Sequence, residues 1–92
     1  MKFIYKNSAK NFKKPLVITD AIGADKITLY KDKVEVTMDD EYMSDFFDKP
    51  VDKLTASDVM DYAEGGLPDL LSDAFGDYNL NLDVNSLVFD TI

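Results

Sequence analysis

The apolar pattern reads as short strands and loops up to Asp39, as helix faces with a period near 3.6 after it, and as alternation again in the tail from Tyr78. Lys2 to Ile4 reads as a short strand, and the lysine-rich segment from Lys6 to Lys14 reads as loop. Pro15 precedes the β-branched run Leu16-Val17-Ile18-Thr19, a second strand. Asp20 to Asp25 contains Gly23 and reads as a loop. Lys26 to Tyr30 alternates, Lys31-Asp32-Lys33 turns, and Val34 to Thr37 continues the alternation, which predicts a hairpin.

Beyond Asp39 the apolar residues gather on helix faces. Tyr42, Met43, Phe46 and Phe47 fall on one side, with Glu41, Asp45 and Asp48 on the other, and Lys49-Pro50 ends the segment. Thr55-Ala56-Ser57-Asp58 matches a capping box with Asp in the usual Glu position. The helix it starts buries Ala56, Val59, Met60 and Ala63, exposes Asp58, Asp61 and Glu64, and stops at Gly65-Gly66. Pro68 suits the first turn of a third helix whose inner face is Leu67, Leu70, Leu71 and Ala74, with Asp69 and Asp73 outside and Gly76 just past its end. Tyr78, Leu80, Leu82 and Val84 alternate with Asn79, Asn81 and Asp83. With Leu87-Val88-Phe89 this predicts one or two closing strands. The expected class is α+β: an antiparallel β-sheet covered on one face by two or three short amphipathic helices, forming one domain over residues 1–92.

Charge changes the picture more than composition does. The net charge is −8, with no His, Cys, Trp or Arg, and all ten basic residues are Lys. Missing His and Cys remove the commonest general base, the thiol nucleophile and the usual zinc ligands. Negative charge and missing Arg weigh against direct nucleic-acid binding. No secretory signal and no membrane span is expected, which points to the cytoplasm of whatever cell makes or receives the protein. Residues 1–38 hold eight lysines against four acids, a net of +4, whereas residues 39–92 hold two lysines against fourteen acids, a net of −12. From Thr55 to Ile92 there is no basic residue.

No catalytic, cofactor or metal motif stands out. The carboxylates are expected on outer helix faces, without the burial or close neighbour that a catalytic acid needs. Asp77-Tyr78-Asn79-Leu80-Asn81-Leu82-Asp83 opens like a calcium loop, but Leu82 stands where Gly is needed and Val88 where a bidentate Glu is needed. Asp39-Asp40-Glu41 fits a helix N-terminus, where acids complement the dipole.

The acidic rows remain: Glu41/Asp45/Asp48, Asp58/Asp61/Glu64 and Asp69/Asp73/Asp77, with Asp39 and Asp40 leading the first. Carboxylates three or four residues apart on a helix lie roughly 4.5–6 Å apart along its axis, against roughly 6.8 Å between alternate phosphates of one DNA strand. Such rows cost about 0.2–0.5 kcal/mol per like-charged pair, and interspersed lysines would relieve that cost. In size, charge balance and acidic rows the chain resembles the small phage-encoded DNA-mimic inhibitors of host defence, the anti-restriction proteins such as Arn and the acidic anti-CRISPR proteins. The resemblance implies an inhibitor, not an enzyme, that occupies the DNA-binding surface of a basic nuclease or defence complex. Two other functions fit the same residues: an immunity-type protein against a toxic nuclease, and a small structural or assembly protein using open strand edges. A homodimer would enlarge the acidic surface and cover a sheet edge, while like-charge repulsion opposes it.

Overall fold

The short apolar runs of the first 38 residues become four strands of one sheet. In this computed structural model, residues 1–7, 15–80 and 84–91 are described. The strands are β1 (Lys2–Asn7), β2 (Leu16–Ile18), β3 (Ala24–Leu29), β4 (Lys33–Met38) and β5 (Leu87–Thr91). They form an antiparallel sheet in the order β2-β3-β4-β1-β5. The first strand is therefore interior, between β4 and the last strand. Phe3 and Tyr5 of β1, Ile27 and Leu29 of β3, and Val34, Val36 and Met38 of β4 point to the buried side. Their neighbours Lys2, Ile4, Lys6, Lys26, Lys33, Glu35 and Thr37 therefore take the other side, as period-two geometry requires.

Three helices cover the buried side: α1 (Asp40–Phe47), α2 (Ala56–Glu64) and α3 (Gly66–Asp77). Met43, Val59, Tyr62, Ala63, Leu67, Leu71, Ala74 and Phe75 join the strand residues in one core. Each helix starts where its sequence supplies a cap or a stop. Asp39 accepts from the Glu41 N–H, and Thr55 with Asp58 closes a reciprocal capping box. Tyr5 crosses the layers, its hydroxyl donating to the Ala63 carbonyl at 2.7 Å. That oxygen lies in the last turn of α2, where helix carbonyls lack intrahelical partners.

The expected α+β class, with helices on one face of an antiparallel sheet, is the observed architecture. Several local expectations are not. Lys6 and Asn7 belong to β1; the rest of the expected loop lies outside the described residues. Ala56 is exposed, as are Phe46 (54%) and Met60 (41%), while Tyr62 takes the core place expected for Met60. Leu70 is only half-buried, and Phe75 is the fourth inner residue of α3. Gly76 lies within α3, which runs on through Asp77. Tyr78 caps α3 and Asn79 is left-handed at φ 54°, so residues 78–80 are not strand; residues 81–83 lie outside the described residues, and Val84–Ser86 is a 3-10 turn. The Asn79 N–H and the Leu80 N–H bond back to the Gly76 and Phe75 carbonyls, satisfying helix-end groups that a strand would have left open.

Candidate interaction surface

Each acidic row falls on a helix whose other side is in the core, so all three rows lie in the helix layer. The residues separate by what their carboxylates do. Asp39 is the α1 N-cap and half-buried. Asp40 meets the Met1 amine at 2.9 Å. Asp58 accepts from the Thr55 N–H at 3.1 Å and meets Lys49 Nζ at 2.6 Å. The Lys49 contact first, then the Thr55 hydrogen bonds, hold the Asp58 carboxyl below its ordinary value. Glu41, Asp45, Asp48, Asp61, Glu64, Asp69, Asp73 and Asp77 are exposed and have no basic partner among the described residues.

Apart from Lys49, the described lysines with ionic partners lie elsewhere. Lys2 and Lys33 flank Glu35 at 3.8 and 3.3 Å, and Lys6 reaches Asp90 at 3.7 Å, all on the outer sheet face. None of these side chains crosses the molecule to the helix rows. Pairs this long and exposed contribute at most about 1 kcal/mol each.

One concavity adjoins the third row. A groove of about 660 Å³ is lined by Asp20, Ile22, Tyr42, Asp69, Leu70, Asp73 and Asp77, among others. It joins the β2–β3 loop to α3. Tyr78, just past α3, donates to Asp20 Oδ1 at 2.6 Å, and that contact with the carboxylate pushes the Tyr78 phenol up. Gly23 sets the loop's course at φ 87°, with the Tyr42 ring 2.8 Å from where a Cβ would stand. Asp20 therefore belongs with the α3 row. It was missed because only the loop's path over α3 brings it there, 58 residues away in sequence from Tyr78. Ile22 stands 86% exposed at the rim, an apolar side chain beside carboxylates.

Two buried tyrosines lie beneath the layer. Burial, helped by Tyr62 and Glu64, raises the Tyr5 phenol well above its ordinary value. Burial likewise raises Tyr62, and Tyr42 adds to the shift, although the Tyr62 hydroxyl makes no well-formed hydrogen bond among the described residues. Tyr62 is held instead by rings: Phe46 at 4.9 Å, and Phe47 and Phe3 at 5.9 Å, all edge-on.

No helix among the described residues is long and apolar enough to cross a membrane. Comparison of the chain with protein-family models, with curated proteins and with solved structures found no match.

Proposed function

We propose that this protein is a DNA-mimic inhibitor, binding through its helix layer to the basic DNA-binding surface of a restriction or other defence nuclease. The observation that carries the reading is a separation of charge by layer: exposed carboxylates on the helices without basic partners among the described residues, and Lys2, Lys6, Lys26 and Lys33 on the far side of the sheet. Lys49 pairs with Asp58 and Lys53 lies in the turn before α2, but no described lysine pairs with Asp61, Glu64 or the carboxylates of α3, so that part of the surface keeps its negative field. Such a field attracts a basic cleft at long range, and packing then selects the target. Lysines and arginines that hold phosphates in the target would meet Asp61, Glu64, Asp69, Asp73 and Asp77. Asp39, Asp40 and Asp58 have structural partners and contribute mainly to the fold, so the contact surface is narrower than the three rows taken whole.

The test is capture of basic proteins from a bacterial lysate at low and high salt, followed by competition with duplex DNA. The expected result is a nuclease or defence subunit that elutes with salt, is displaced by duplex DNA, and binds the variant Asp61→Asn/Glu64→Gln/Asp69→Asn/Asp73→Asn/Asp77→Asn at least tenfold more weakly. A captured partner that holds this variant as tightly as the wild type, or is indifferent to duplex DNA, refutes the reading.

A further inference from the structure

Among the described residues no helix lies over the outer face of the sheet; Thr28 and Glu35 at its centre are largely covered, and the lysines around them are not a random polar set. The strand register places Lys26 opposite Thr37 and Thr37 opposite Lys2, while Lys33 lies opposite Lys6. Glu35 sits between these rungs, with Thr28 and Ile4 as its cross-strand neighbours. Four lysines thus frame one central carboxylate. Lys26 has no ionic partner among the described residues, and Lys2, Lys6 and Lys33 hold theirs only at 3.3–3.8 Å. These ammonium groups remain available to stronger anionic partners.

We propose that this lysine face docks the acidic helix layer of a second copy of the chain, so that copies associate head to tail. The complementary surface is on the same molecule. Asp61, Glu64, Asp69, Asp73 and Asp77 are exposed on the opposite layer, free of basic partners among the described residues. A two-fold dimer through either face would set lysine against lysine or carboxylate against carboxylate. Only the head-to-tail arrangement matches opposite charges, and such a heterologous contact extends into open chains when its rotation does not close a ring. The net charge of −8 opposes contact between copies. Its range decides the outcome. The shortest extent of the molecule is 17 Å, so centres in contact stand at least that far apart, about two Debye lengths at 0.15 M salt, whereas ion pairs at contact distance are screened far less. Association is therefore strongest at intermediate ionic strength. The inference does not rest on the DNA-mimic reading, because it needs only the charge layout. A basic partner would compete for the same helix layer and dissolve the chains.

Sedimentation velocity over a range of concentrations tests it, with the full chain in about 0.02, 0.15 and 1 M NaCl. The wild type is expected to show a weight-average mass that at least doubles with concentration near 0.15 M and returns to the monomer value near 1 M. Lys2→Gln/Lys26→Gln/Lys33→Gln and Asp61→Asn/Asp69→Asn/Asp73→Asn, at exposed positions except the half-buried Lys33, are each expected to stay monomeric alone. Mixed together they form a one-to-one complex, because each retains the face the other has lost. Three lysines are removed from one and three carboxylates from the other, so the mixed pair carries the total charge of two wild-type copies. A wild type that is monomeric at every salt concentration overturns the proposal. So does a variant that still self-associates, or a mixture that gives no complex. A chain that stays monomeric yet binds a basic nuclease through its helices would sink this inference and leave the proposed function standing.

Discussion

Replacing Asp73 and Asp77 by Asn should make the protein more stable. Both lie on α3, Asp77 is its last residue, and the last turn holds no basic residue. Asp69, Asp73 and Asp77 are spaced by four, giving two like-charged pairs that each cost about 0.2–0.5 kcal/mol. A carboxylate at a helix C-terminus opposes the macrodipole at about 0.3–1 kcal/mol. Neither Asp73 nor Asp77 makes a hydrogen bond or ion pair among the described residues, and Asp and Asn have similar helix propensities. Removing both charges relieves both pairs and the terminal charge, a gain of about 0.7–2 kcal/mol at low ionic strength. For a domain of this size each kcal/mol moves Tm by about 4–8 °C. Asp69 stays, because it lies in the first turn, where the dipole favours it. Circular-dichroism melts in about 0.02 M and 1 M salt measure the gain, which should shrink as the Debye length falls to about 3 Å. An unchanged or lower Tm at low salt, or a gain that 1 M salt leaves intact, refutes the reasoning. The same variant should bind a basic partner more weakly, so stability and affinity should move in opposite directions.

Other positions test the fold. Tyr5→Phe leaves the Ala63 carbonyl without its buried donor and should cost about 1–3 kcal/mol in a urea titration. Gly23→Ala meets both a φ of 87° and the Tyr42 ring. It should destabilise by more than about 1 kcal/mol, and Tyr42→Leu should restore only the steric part. Thr55→Ala removes the α2 cap and should cost about 0.5–2 kcal/mol. The Asp58 carboxyl is held below its ordinary value of 3.8 in the folded state. Its contribution is therefore full above that value and is lost as pH falls through the lowered one. The stability difference between wild type and Asp58→Asn should be flat through neutral pH and close in acid below 3.8.

Local signals carried the parts of the fold that local physics decides. The β3–β4 hairpin follows from alternation about a short polar turn, and the α2 start follows from Thr55 and Asp58, whose reciprocal bonds form as their spacing implies. The failures are non-local. Met60 and Tyr62 lie about 200° apart around α2, so only one can face the core; Tyr62 shares the face of Val59 and Ala63 and meets the rings of Phe3, Phe46 and Phe47 there. Tyr78 and Leu80 alternate like strand residues, yet the carbonyls at the end of α3 capture the Asn79 and Leu80 N–H groups first. Asp20 lies in the basic part of the sequence and reaches α3 only through a loop over the helix. Proximity to the α3 row leaves no trace in spacing.

The charge asymmetry of the sequence has two origins, and they do not demand the same explanation. β1, β3 and β4 belong to a sheet with its helices, among the described residues, on one side, so outward positions at strand ends, such as Lys2, Lys6 and Lys26, must suit water, while Ile4, Glu35 and Thr28 at the centre of that face are largely covered. Lysine there follows from the architecture, and Glu35 beside Lys2 and Lys33 is the ordinary companion of such a face. The outer faces of α2 and α3 must also suit water, but that requirement is satisfied by Lys, Gln or Ser as well as by Asp. Interspersed lysines would turn repulsive pairs into attractive ones. A layer that instead carries Asp61, Glu64, Asp69, Asp73 and Asp77 gives up stability at every pair. Solubility needs net charge but not its confinement to one layer. The confinement is what a cationic surface, on a target or on the next copy of the chain, would recognise.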